Sequence, residues 1–135
     1  MRTLILIPVF TCFLSTAVAA QDRLGLEFEA GIENSLLIVM TADLIRKNCD
    51  SISARKLKAI LYIKGVQRRA RALGYSKAEI EHHVDDEGQK ARLERISLAY
   101  LASKGLDADV PSTFCTVGRA EMAGDSTVGS LLTGG

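Results

Sequence analysis

The chain is 135 residues long, which is enough for one domain, and its 47% hydrophobic and 24% charged residues are typical of a globular protein. Seventeen basic residues against sixteen acidic ones give a net charge of +1, which argues against a dedicated nucleic-acid-binding protein with its strong basic excess. Tryptophan is absent and aromatic residues make up only 5%, so few side chains can stack on bases or sugars.

The first nineteen residues have the pattern of a secretory signal peptide. Arg2 supplies the basic start, Leu4 to Leu14 form an apolar segment too short to span a bilayer comfortably, and Ala17-Val18-Ala19 is an A-x-A cleavage site. We therefore predict a signal peptide that ends near Ala19 or Ala20 and a protein exported to the periplasm. After cleavage we expect no membrane span.

An uncleaved amino-terminal anchor helix is the alternative, which the polar residues Gln21 to Arg23 disfavour because they follow at once. Cys12 lies inside the signal segment and leaves with it. That leaves Cys49 and Cys115, and two thiols in an oxidising compartment normally form a disulfide. Two separate buried thiols are the other interpretation.

The first predicted helix is an apolar run, Leu36 to Cys49, with Asn34 or Ser35 as its N-cap. Its residues are apolar around most of the circumference, which predicts a helix at the centre of the core.

A second helix is predicted from a cap at Ser51 or Ser53 to a stop at Gly74, where a left-handed conformation carries no Cβ penalty. Apolar residues at three- and four-residue steps predict its core-facing stripe: Leu57, Ile60, Ile63, Val66, Ala70 and Leu73. Its basic residues on another face form a possible anionic-partner face: Lys64, Arg68 and Arg71. This face could bind anionic lipid headgroups or an acidic partner. The plainer interpretation is that part of it pairs with the acidic segment that follows, while the rest is merely hydrated.

The clearest helix start is at Ser76, which forms a capping box with Glu79 and predicts a helix from Lys77. The acidic segment 85–88 could break this helix, with Asp85 or Asp86 as a new cap, or the helix could run on to about residue 104. Gly105 is the expected stop.

A last long helix is predicted from a Ser112 cap to Gly124, followed by one more turn that brings Leu131 and Leu132 to the core surface. Residues 133–135 are expected to form a loose tail. No stretch alternates with period two for long enough to predict a strand.

The predicted fold class is therefore all-α, a compact bundle of four to five helices closed by one disulfide. The helices form a single domain over residues 20–135.

Four residues at helical spacing are weak metal-ligand candidates: Glu79, His82, His83 and Asp86. A di-metal site in a helix bundle needs Glu-x-x-His on two helices. The chain has only two histidines, and they are adjacent, so they cannot lie on two helices. The pattern favours a hydrated, charged helix face, and we predict neither a metal site nor a cofactor.

Catalytic motifs are missing from the sequence. It contains no G-x-S-x-G for a serine nucleophile and no glycine-rich phosphate loop. We therefore expect a protein that is not an enzyme.

The chain resembles a bacterial family of small exported proteins that is classed as a domain of unknown function. The resemblance is carried by the segments IRKNC and SISAR (residues 45–49 and 51–55), ARALGYS and AEI (70–76 and 78–80), and FCTVGRAE (114–121). It implies a disulfide-linked periplasmic helical domain without an assigned catalytic residue. It also implies an accessory or assembly role near the respiratory NADH:quinone oxidoreductase.

Two classes of function follow from the sequence. The first is a non-enzymatic interaction or accessory factor for an envelope or respiratory complex, with an unknown protein partner in the cell envelope. The second is a periplasmic stress or acid chaperone that exposes apolar surface on partial unfolding. An unrecognised enzyme is the third and weakest possibility.

Overall fold

The computed structural model of the chain describes residues 25–134, so the predicted signal peptide lies outside the described residues. The described chain forms a helical bundle, and the predicted all-α class with one disulfide is confirmed. Its elements are a 3-10 helix (Leu26–Phe28), α1 (Ala30–Asn48), β1 (Ile52–Ala54), α2 (Lys56–Ala72), α3 (Lys77–Asp85), α4 (Glu87–Ser103), α5 (Ser112–Ala123), α6 (Thr127–Ser130) and β2 (Leu132–Gly134).

Helix α1 lies at the centre of the bundle, as predicted, and contacts α2, α4, α5 and α6. Its Ile45 has no solvent exposure. It begins at Ala30, so the predicted caps at Asn34 and Ser35 are wrong. Ser35 instead donates its hydroxyl proton to the carbonyl of Gly31 inside the helix. The added first turn buries Ile32, and this burial outweighs the local preference of Ser35 for a helix end.

The predicted disulfide joins Cys49 to Cys115, with 5.1 Å between the two Cα atoms. Cys49 follows the last residue of α1, and Cys115 lies in the first turn of α5. The bond therefore connects the central helix to the last long one.

A short antiparallel pair of strands closes the fold, and it corrects two predictions. Strand β1 pairs with β2, with Ser53 opposite Thr133 and Ala54 opposite Leu132. The chain thus contains strands, and residues 133 and 134 are not a loose tail. Each strand has only three residues, so neither shows an alternating pattern that the sequence could reveal.

Helices α3 and α4 are separate, and Asp86 is the N-cap of α4. Ser76 and Glu79 form the predicted capping box at the start of α3. Helix α3 ends at Asp85, and Asp86 Oδ1 accepts a hydrogen bond of 2.8 Å from the backbone N–H of Gln89. Gly105, with φ of 100°, follows the end of α4 as predicted.

Two other predicted caps are wrong. Helix α2 begins at Lys56 after Arg55, and α5 begins after Pro111, in both cases without a side-chain cap. Ser53 lies in β1 instead. Within the described residues no helix is both long and apolar enough to cross a bilayer.

Candidate interaction face

Helix α2 lies on the surface of the bundle with most of its circumference exposed. Only Val66 and Ala70 of its seventeen residues are buried. Leu57, at 71% exposure, and Ile60, at 50%, were predicted to face the core, and the structure corrects this. Ile63 and Leu73 are also substantially exposed. Val66 and Ala70 of the predicted core-facing set are buried, so the prediction fails only in part, because spacing shows which residues share a face but not how much of that face another element covers.

The outward side of α2 carries a single row of side chains, which we call the α2 stripe. Its five residues follow one another at alternating steps of four and three, the spacing of a helix–helix contact seam. They are Leu57, Leu61, Lys64, Arg68 and Arg71, and all five are exposed. The stripe starts apolar and becomes basic after two turns, over roughly 20 Å at 1.5 Å per residue.

The charged residues of α2, and Arg55 before it, are all basic. Segment 55–71 holds seven of the seventeen basic residues of the chain and none of the sixteen acidic ones. Its amino-terminal end has no acidic residue in the first turn and no side-chain cap, although that end of the helix dipole favours negative charge. The composition of α2 therefore does not serve the stability of the isolated helix.

The three basic residues that the sequence singled out, Lys64, Arg68 and Arg71, come together on the α2 stripe. Among the described residues, none of them forms an ion pair, and no ion pair joins α2 to the acidic residues of α3 or α4. The pairing with the acidic segment is thus absent among the described residues, whereas the exposure of all three side chains agrees with the hydrated part of the plainer interpretation. Arg69, on the flank, donates a hydrogen bond of 2.6 Å to Ser35 Oγ and holds α2 against α1.

The four weak metal-ligand candidates do not converge. His82 is exposed, whereas His83 is buried with its Nδ1 3.7 Å from Glu27 Oε2. The carboxylate of Glu79 accepts from the backbone of Ser76, and that of Asp86 caps α4. Across residues 25–134, no three His, Cys, Asp or Glu side chains are arranged to hold a metal ion.

One polar contact was not anticipated from the sequence. Tyr100 donates a hydrogen bond of 2.7 Å to Glu121 Oε1, and Glu121 is 6% exposed. Burial, followed by this hydrogen bond, raises the pKa of Tyr100 to about 12. The two residues lie on different helices, so no local motif connects them.

Comparison with known proteins identifies the family to which the chain belongs. No curated protein and no solved structure matches it. A family described as one of unknown function, DUF5333, has a model that matches residues 25–133, which covers the disulfide and the six α-helices of the described residues. The chain therefore belongs to the DUF5333 family.

Proposed function

We propose that the protein is a non-enzymatic accessory factor of the cell envelope that docks on a partner complex through the α2 stripe. The observation that carries this proposal is the exposure of Leu57 and Leu61 in line with three cations that have no ion-pair partner among the described residues. The predicted signal peptide and the disulfide support a periplasmic location, because disulfides persist in oxidising compartments.

The chemistry of the stripe fits an acidic helix of a protein partner. Residues at alternating steps of four and three can pack against the side chains of a second helix. The basic residues of the stripe are complementary to carboxylates on that helix. We infer that the partner offers an apolar recess for Leu57 and Leu61 and acidic residues farther along. A respiratory complex, such as the NADH:quinone oxidoreductase implied by the family resemblance, is the candidate.

An anionic lipid surface fits the stripe less well. A helix that lies in a membrane interface has an apolar face along its whole length and cations on the opposite or flanking face. On α2 the apolar and basic residues follow one another along a single row. Within the α2 stripe, charge and apolarity are thus separated along the helix axis rather than around it, which favours a protein partner.

The test is co-purification with the native envelope complex, compared between the wild type and variants of the stripe. Arg68→Glu and Leu61→Ser should each reduce recovery of one defined complex. Arg95→Glu and Val110→Ser are matched controls, since both residues are exposed and lie outside the stripe. Recovery should also fall with ionic strength, because the Debye length shortens from roughly 10 Å at 0.1 M salt to 3 Å at 1 M.

Equal recovery with all four variants would contradict the proposal. Binding to phosphatidylglycerol vesicles with the same dependence on Arg68 and Leu61, and without a protein partner, would show that a membrane is the target instead.

A stress chaperone is the second candidate, and the exposure of Leu57, Ile60 and Leu61 is the observation that favours it. A chaperone of this kind should lose its tertiary signal and bind a hydrophobic dye in mild acid, and it should suppress aggregation of a client protein. Retention of a rigid fold in acid, together with recovery of one complex, favours the accessory role.

A further inference from the structure

An apolar pocket lies on the inner side of α2, away from the α2 stripe. Its volume is 230 Å³, and we call it the inner pocket.

 Eleven residues of the 3-10 helix and of α1, α2 and α3 line the inner pocket, and nine of them are apolar.

The walls of this pocket are formed by buried core residues. Ala70 and Val66 of α2 face Ile32 of α1 and Ile80 of α3 across it, and all four are buried. A cavity with apolar walls holds water poorly and favours an apolar occupant. At about 30 Å³ per non-hydrogen atom, the share of a water molecule in the liquid, the pocket has room for roughly eight carbon atoms.

The mouth of the pocket carries a polar side chain, and two cations are the helical neighbours of that residue. Gln67 lines the pocket and is exposed, so it marks the opening. Lys64 and Arg71 lie three residues before and four residues after Gln67 on the same helix, and residues at these steps are surface neighbours. Neither forms an ion pair among the described residues. The interior is apolar except for the buried His83, and with cations beside its mouth it is complementary to an amphiphile with a negative head.

We propose that this pocket binds a medium-chain carboxylate, with an aliphatic tail of about eight carbons between α1, α2 and α3. The carboxylate lies at Gln67, where Lys64 and Arg71 attract it. The tail of this ligand occupies the inner side of α2, whereas its carboxylate shares Lys64 and Arg71 with the α2 stripe. Substitutions that block the tail therefore test the pocket separately from the accessory role.

The test is a titration of the isotope-labelled full-length protein with octanoate, octanol and octylamine, followed by amide NMR shifts. Octanoate should shift the amides of Val66, Gln67 and Ala70, and it should bind more tightly than octanol, with octylamine weakest. The double variant Lys64→Gln, Arg71→Gln should weaken octanoate binding by about threefold to tenfold, as expected for exposed charge pairs. It should leave octanol binding unchanged. Arg95→Gln is the matched control and should change neither.

Two variants test the position of the tail. Ala70→Leu fills the pocket and should abolish octanoate binding. Because Ala70 is buried and this variant could unfold, Ile63→Trp, at a rim position that is 39% exposed, provides a second block at the mouth. Both variants should still recover the partner complex of the wild type, so that failure of the pocket proposal is distinguishable from failure of the accessory role.

Three results would overturn the pocket proposal. The first is an absence of shifts at Val66, Gln67 and Ala70. The second is octylamine binding as tightly as octanoate. The third is binding of phosphatidylglycerol vesicles at these amides with no response to free octanoate, which would indicate a membrane contact instead.

Discussion

Gly118 shows how closely α5 packs against the core. A Cβ atom at this position would lie 2.5 Å from Ile45 Cγ2 and 2.6 Å from Ile52 Cδ1, and both isoleucines are buried and have little room to move. We expect Gly118→Ala to lower the free energy of unfolding by about 1–3 kcal/mol, the usual cost of overpacking. Urea denaturation measures this change.

Gly65 is the matched control for Gly118. An added Cβ there meets nothing closer than an Arg68 side-chain nitrogen at 3.9 Å. Because Gly65 lies inside α2, Gly65→Ala should raise the free energy of unfolding by about 0.5–1 kcal/mol through the better helix propensity of alanine. Equal effects of the two substitutions would contradict the close approach of α5 to Ile45 and Ile52.

Tyr100 makes stability depend on pH in the alkaline range. Its pKa in the folded protein is about 12 rather than the usual 10.0, because burial and the hydrogen bond to Glu121 both favour the protonated phenol. The unfolded chain therefore loses this proton first as the pH rises, and the stability contribution is complete below pH 10 and is lost between pH 10 and 12.

Absorbance titration of tyrosinate checks this prediction. The chain has three tyrosines, and one of them should ionise late. Tyr100→Phe should remove the late phase, and it should also destabilise the fold by about 1–3 kcal/mol because Glu121 loses its donor in a buried position. A late phase that persists in Tyr100→Phe would assign the raised pKa to another tyrosine.

At the scale of the elements, the break between α3 and α4 depends on one side chain. Asp86 accepts from the backbone of Gln89, whereas no hydrogen bond caps α4 from Asp85 among the described residues. Asp86→Ala should therefore lower the free energy of unfolding by about 1 kcal/mol, the typical value of an N-cap. Thermal denaturation measures both variants, and Asp85→Ala should have a much smaller effect. A larger loss with Asp85→Ala would show that Asp85, and not Asp86, caps α4.

Substitutions on the buried and exposed sides of α2 should change the free energy of unfolding by different amounts. Val66 is 6% exposed, so Val66→Ala removes buried apolar surface and should cost about 1–2 kcal/mol of stability. Leu57 is 71% exposed, and Leu57→Ser should stay within about 0.5 kcal/mol of the wild type. A large loss with Leu57→Ser would support the core-facing stripe that the sequence suggested.

At the scale of the whole molecule, the disulfide closes most of the described chain into one loop. Cys49 and Cys115 are 66 residues apart, and by the chain-entropy account a loop of this length contributes about 4 kcal/mol. Cys49→Ser should therefore lower the melting temperature sharply. The same loss should follow from reducing the wild type, and full thermal stability in either case would contradict a structural role for the bond.

Local signals predicted the helix ends that rest on contacts within one turn. Ser76 with Glu79 was recognisable because the two residues of a capping box lie three apart, and Gly105 because a left-handed residue is easiest for glycine. The predicted caps at Ser35 and Ser112 failed because burial or packing of the neighbouring turn set those helix starts instead. The Tyr100–Glu121 pair could not be predicted, since only packing brings α4 and α5 together.

The sequence by itself determined the helical class, most helix stops and the pair of cysteines, because these follow from interactions between near neighbours and from residue chemistry. Only the tertiary structure decided that β1 and β2 pair and that Leu57 and Ile60 of α2 are exposed while Val66 and Ala70 are buried. Periodicity places residues on a common face of a helix, but burial depends on which other element covers that face. The α2 stripe and the pocket on its inner side are therefore both consequences of how α2 packs against α1 and α3.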